Sequence, residues 1–182
     1  MTITPIREYR TIKKDAWGEG PWLAEPDKVQ WQDEATGLPC LAVRNPRNGN
    51  WCGYVGVSEG HPAFGLPYTE ADNLGPEDEH GWHGFSVHGG ITYAAFCRDD
   101  GEEETGICHV PQPGQPDHVY WLGFDTAHAY DLVPGFWTIA GDQYREIIGS
   151  HPNFGYRTLA YVQEECTRLA AELQAVAGGP DS

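Results

Sequence analysis

In YRTLAYVQEECTRLAAELQAV, six residues (Leu159, Val162, Cys166, Leu169, Leu173 and Val176) recur at steps of three and four. That spacing is one face of an α-helix, and an apolar stripe of this kind needs a surface to cover it. It predicts an amphipathic helix over 156–177, closed by GGPDS in the way helix C-termini often end. The chain before it reads differently. Most of the 23 glycines and 14 prolines fall there and cut it into short pieces. LPCLAVRN (38–45) and WCGYVGV (51–57) are strand-like, and the PRNG between them carries an Asn-Gly turn signal, so the two read as a hairpin. FSVHGGITYAAFC (85–97) reads as a strand with Phe85, Val87, Ile91 and Tyr93 on one side and Ser86, His88, Gly90 and Thr92 on the other. ICHV (107–110) reads as a short strand, and VYWLGFD (119–125) is apolar on both faces, as a central strand is.

The expected fold is therefore α+β: a mainly antiparallel, turn-rich β-sheet with the C-terminal amphipathic helix packed on one face. The expected organisation is a single domain over 1–182, with an N-terminal extension at 1–37, a β-rich body at 38–150 and the helix. A chain of this length buries roughly 70 % of its unfolded surface and needs no staples. Residues 58–83 form a long loop rich in Pro, Gly and acidic residues, of the kind that serves as a lid or binding loop.

The formal charge is −16. It argues against a sequence-independent grip on nucleic acid, which needs clustered Lys and Arg, and against anionic membrane surfaces. An anionic small ligand in a locally basic pocket remains compatible with it. The five cysteines form no CxxC pair, and an odd, irregular set reads as reduced intracellular thiols rather than a disulfide framework. MTITPIREYRTIKKDAW lacks the apolar stretch of a secretory signal, and no run approaches the ~20 apolar residues of a bilayer span. The expected location is cytoplasmic.

Several chemistries lack their motifs. There is no GxGxxG after a strand, no P-loop and no HExxH. GFSVH (84–88) resembles a nucleophile elbow except for its last residue, a histidine where glycine is needed.

GFDTAHAYD (123–131) sets Asp125, His128 and Asp131 at intervals of three just after the apolar VYWLGF. Strand ends collect functional side chains, because the sheet holds them while the loop exposes them. A helical turn starting at Asp125 makes Asp125 a neighbour of His128, and His128 a neighbour of Asp131. Mixed His and Asp ligands suit Zn, Mn or Fe, and without a metal an Asp–His pair is a general-base arrangement. The plain structural alternative makes Asp125 an N-cap that accepts the N–H of residue 127 or 128, with Asp131 starting the next turn. In HGG (88–90), His88 and Thr92 share the polar strand face, and glycine in a strand often marks close approach of a ligand. EHGWHG (79–84) adds His80 and His83 at the approach to that strand. If the His88 and Asp125 strands are adjacent, His88, Asp125, His128 and Asp131 form the catalytic set, with His88, Asp125 and His128 as metal ligands. His83, Gly90, Thr92 and Tyr130 line the pocket, and Trp82, Tyr93 and Trp121 are further aromatics placed to stack a ring.

The set VHGGITY … GICHVPQPGQPDHVYWLGFDTAHAYDLVP … YRTLAYVQEECTRLAAEL resembles an uncharacterised protein family of actinobacteria and their phages, over roughly residues 51–175. The tags are HGGxT, ICHVP and GFDxAHxxD. The resemblance implies no catalytic assignment. A phage setting implies either an enzyme that degrades a small nucleotide-like signal or a protein that sequesters one, acting in the host cytoplasm.

The leading expectation is a hydrolase with a small-molecule pocket and a divalent metal. The alternatives are a non-catalytic module that binds a nucleotide-like ligand, and a phage structural or interaction protein whose acidic loops at 70–80 and 99–104 meet a basic partner.

Overall fold

The structure is a computed structural model that describes residues 3–97 and 102–178. Among these, six strands form one antiparallel sheet: β1 (Arg7–Tyr9), β2 (Lys28–Gln32), β3 (Pro39–Arg44), β4 (Trp51–Ser58), β5 (Tyr93–Phe96) and β6 (Val119–Asp125). Their spatial order is β1-β2-β3-β4-β6-β5. The helices are α1 (Tyr68–Asp72), α2 (Pro134–Ile139), α3 (Asp142–Gly149) and α4 (Leu159–Gly178). The fold is α+β, with α4 on one face of the sheet. No helix of the described residues is long and apolar enough to cross a membrane.

Alternation in the strands builds the core. Val29, Trp31, Cys40, Ala42, Val55, Val57, Leu122 and Phe124 meet Val162, Cys166, Leu169 and Leu173 of α4, all buried. Burial of such side chains supplies about 1.5–3 kcal/mol each, which makes this face the main source of stability. Two glycines let aromatic rings lie across neighbouring strands. Gly53 pairs with Phe124 and Gly123 with Tyr54. A Cβ on Gly53 would meet the Phe124 ring at 2.5 Å, and one on Gly123 would meet Tyr54 at 2.3 Å. The opposite face holds a smaller cluster of Leu41, Tyr54, Val119 and Trp121. Residues 107–110 cover part of it. Gln30 Nε2 donates to the Val110 carbonyl (2.7 Å) and Lys28 Nζ to the Cys108 carbonyl (2.7 Å).

Four expectations are corrected. The stretch 1–37 is not an extension beside the sheet, since β1 and β2 belong to it. Polar Lys28 and Gln30 hide β2 in the sequence, yet both are buried because their far-face neighbours take up their hydrogen bonds. The strand expected at 85–97 is regular only at Tyr93–Phe96. Gly89 and Gly90 have φ of +72° and +80°, which a strand does not accommodate. Phe85, Val87 and Ile91 join the α4-side core, whereas Tyr93 packs on the opposite cluster. ICHV is irregular rather than a strand. Finally, Cys97 and Cys108 form a disulfide with Cα atoms 5.0 Å apart, while Cys40, Cys52 and Cys166 are free thiols. Part of the acidic turn, residues 98–101, and GPDS at 179–182 lie outside the described residues. Of the remaining acidic turn, Glu103 pairs with Arg7 (3.6 Å) and accepts a hydrogen bond from Tyr9.

Candidate functional site

β6 delivers Asp125 to the end of the sheet, and the chain then bends rather than starting a helix. The Ala127 N–H donates to Asp125 Oδ1 (3.0 Å) and Thr92 Oγ1 to Asp125 Oδ2 (3.1 Å). Residues 128–131 form a tight turn closed by the Asp131 N–H on the His128 carbonyl (3.1 Å). Tyr130 takes φ +71° within it, an uncommon backbone state for a non-glycine residue. The next residue, Asp131, bridges to Gly155, and its side chain has no exposed surface.

That carboxylate is a hub. Asp131 Oδ2 accepts from His88 Nε2 (2.7 Å) and from the His128 backbone N–H (3.0 Å), and Oδ1 accepts from Arg157 Nε (2.8 Å). Burial alone would raise its pKa. The hydrogen bonds from His88, Arg157 and the His128 N–H outweigh burial and hold it below the ordinary value, so Asp131 stays ionised.

His88 arrives on the irregular segment that α4 holds in place. The His88 N–H donates to Glu165 Oε2 (2.8 Å) and the Ser86 N–H to Glu172 Oε2 (2.9 Å). Arg168 links Glu165 (3.0 Å) to the Ser86 carbonyl (3.1 Å). Behind the ring, His88 Nδ1 lies 2.8 Å from Tyr161 Oη. A phenol both donates and accepts, so it serves either tautomer of His88. The rings of His88 and His128 sit 5.4 Å apart. Gly89 makes this possible, because a Cβ there would lie 2.2 Å from His128 Cε1.

One ligand atom from each of His88, His128 and Asp131 lies within 4.8 Å of the other two. Ligands about 2.0–2.1 Å from a tetrahedral ion stand roughly 3.4 Å from one another. The observed separations from Asp131 Oδ2, 2.7 Å to His88 Nε2 and 4.0 Å to His128 Nδ1, bracket that value. His128 Nδ1 is buried and has no hydrogen-bond partner among the described residues. A buried polar atom of this kind costs about 1–3 kcal/mol unless something else engages it. Two of the ligands also have a support behind them, Tyr161 for His88 and Arg157 for Asp131, which is the arrangement metal ligands need.

The remaining sequence candidates fall elsewhere. Asp125 Oδ1 is 4.0 Å from His128 Nδ1 but Asp125 is not one of the three converging ligands, and it caps its own turn instead. His83 Nδ1 lies 3.1 Å from the Gly75 carbonyl within its own loop, and His80 is exposed. Gly90 faces open space. Tyr130 stacks on His151 with ring centroids 3.7 Å apart. Trp121 is fully buried and Trp82 is 75 % exposed.

Arg157, Tyr161 and Glu165 are members of the site that sequence reasoning missed. The signal was present for two of them, since Tyr161 and Glu165 stand at i, i+4 beside the apolar stripe. His128 and Asp131 open onto a pocket of about 260 Å³ walled by Phe136, Trp137 and Phe154. A larger cavity of about 540 Å³, against Ile6 and Trp31, contains none of these residues. Comparison with known proteins gives no matching protein-family model, curated protein or solved structure.

Proposed function

We propose that the protein is a metal-dependent hydrolase of a small, nucleotide-like molecule, with His88, His128 and Asp131 holding one divalent ion of Zn, Mn or Fe. The observation that carries this reading is the buried, unpartnered His128 Nδ1 turned toward the same point as His88 Nε2 and Asp131 Oδ2. Two imidazoles and one carboxylate are a donor set for these metals. The ion would supply a bound water of lowered pKa and polarise the substrate. When His88 Nε2 ligates, its remaining proton sits on Nδ1 and Tyr161 Oη accepts it. Arg157 offsets the charge of Asp131, which would leave more of the ion's charge to polarise the substrate. Asp125, half-exposed and facing His128, is the group placed to take the proton of water as the hydroxyl adds to the electrophilic centre. It returns that proton to the leaving group as the scissile bond breaks.

The alternative is a non-catalytic binding module. It is favoured by the saturation of Asp131, which already accepts from His88, His128 and Arg157. The Cys97–Cys108 bridge counts against the cytoplasmic location, because reducing compartments do not sustain such a bridge.

The test is a screen of phosphodiesters and nucleotides with chelator-stripped protein, before and after adding Zn, Mn or Fe(II). Turnover is expected only after metal is restored. In His128→Ala it is expected to fall by more than the roughly 10–100-fold that loss of a supporting residue costs. Turnover that survives both chelation and the substitution would rule the metal mechanism out, and ligand binding without turnover would favour the binding module.

A further inference from the structure

Asp125 and Ala127 border a second pocket, of about 300 Å³, whose wall includes Asn45, Asn48, Asn50, Thr92 and Tyr93. Ala127 lines both this pocket and the aromatic one that His128 and Asp131 open onto. The two are therefore halves of one surface that meets beside His128.

Their chemistries differ. The first half has Phe136, Trp137 and Phe154, with the Trp137 and Phe154 rings 5.0 Å apart. Such a wall takes a flat ring. The second half is amide- and carboxylate-rich, and none of its described lining residues is basic. It offers nothing to neutralise a phosphate. Asn50 is only 3 % exposed, and its Oδ1 has no hydrogen-bond partner among the described residues. Its Nδ2 makes only long contacts, 3.5 Å to the Trp51 carbonyl and 3.9 Å to Cys52 Sγ. A poorly satisfied buried amide beside a carboxylate is a recognition element for hydroxyl donors.

Resting on the reading of the His128 centre as a substrate site, we infer that the ligand is a sugar joined to a flat aromatic ring. The ring lies against Phe136, Trp137 and Phe154. The sugar hydroxyls engage Asn50 and Asn48, and the molecule crosses Ala127 beside Asp125. The linkage between the two parts then lies next to His128.

Calorimetric titration of the metal-loaded protein with adenosine, 4-nitrophenyl β-glucoside, adenine and methyl β-ribofuranoside tests this, with metal content measured on the same sample. At least one two-part probe is expected to bind about 10-fold or more tighter than either fragment. Asn50→Ala should weaken that probe by about 10-fold and leave adenine unchanged, since one ligand hydrogen bond is lost. Asn48→Ala, at a less buried position, gives the same readout if Asn50→Ala does not fold. Trp137→Ala should weaken both the two-part probe and adenine. Metal present with neither two-part probe bound, or with adenine and adenosine bound equally, overturns this inference alone. Two-part binding by a protein that takes up no metal would support it while overturning the hydrolase reading.

Discussion

Gly89→Ala is expected to abolish metal uptake and turnover, whereas Gly90→Ala, one residue on, is expected to leave both within a few-fold of wild type. Both glycines sit at positive φ, +72° and +80°. An alanine pays a similar backbone penalty at either position, about 1–2 kcal/mol. The difference is in what the new methyl group meets. At Gly89 it would stand 2.2 Å from His128 Cε1 and 2.4 Å from Nε2, well inside any real contact distance. At Gly90 nothing lies within 4 Å. The imidazole of His128 must therefore move, and it cannot move while keeping Nδ1 aimed at Asp131. Metal titration of the two variants, with a circular dichroism spectrum of each, checks this. Equal metal affinity in both would show that the His128 position is not what the site depends on.

The second large effect is on stability. Glu25→Ala is expected to destabilise the fold by about 3–5 kcal/mol, because it removes four hydrogen bonds to one charged group, each worth about 1.5–3 kcal/mol, and returns only part of the cost of burying that charge. For a chain of this size that lowers Tm by on the order of 10 °C. Glu25 Oε2 accepts from Arg44 (2.8 Å), Trp51 Nε1 (3.1 Å) and Tyr156, and Oε1 accepts the Leu159 N–H (2.9 Å) at the start of α4. Arg44 has no exposed side-chain surface and lies 4.1 Å from the Trp51 ring. Removing Glu25 leaves Arg44 with Asp27, 3.4 Å away, as its remaining ion-pair partner. It also unties the N-terminal end of α4 from the segment before β2.

The same group gives an acid dependence. Burial alone would raise the Glu25 pKa, but hydrogen bonds from Tyr156, Leu159, Arg44 and Trp51 outweigh it and hold the value below the ordinary 4.5. A carboxylate whose folded pKa is depressed stabilises fully above its unfolded value and loses that contribution as pH falls through the folded one. Urea denaturation should therefore show stability declining below the ordinary carboxylate range. The decline should be shallower in Glu25→Gln, which has no such proton to take up.

The sequence carried the local parts of this picture. The stripe from Leu159 to Val176 marks α4, because helix period and burial coincide there. Asp125, His128 and Asp131 were visible as one cluster for the same reason of proximity. Their division of labour was not visible. A helical turn would have made both Asp125 and Asp131 neighbours of His128, whereas the left-handed Tyr130 turns Asp131 inward and leaves Asp125 at the rim. HGG drew notice as a place of close approach, but the approaching group is the His128 ring rather than a ligand. The i, i+4 spacing of Tyr161 and Glu165 was legible, but what Glu165 holds was not, because its partner is a backbone N–H at His88, far away in the chain. The Cys97–Cys108 bridge was hidden likewise, since it forms where the end of β5 meets the segment covering the far face of the sheet.

His88, His128 and Asp131 are proposed to hold a metal ion. Elemental analysis of untagged protein purified without chelators tests it most directly, beside His88→Ala, His128→Ala and His83→Ala, each first shown to keep the wild-type circular dichroism spectrum. About one Zn, Mn or Fe per chain is expected in the wild type and in His83→Ala, with loss in the other two, as for any site that needs all its ligands. Equal metal content in all four proteins, or none in any of them, would contradict the claim.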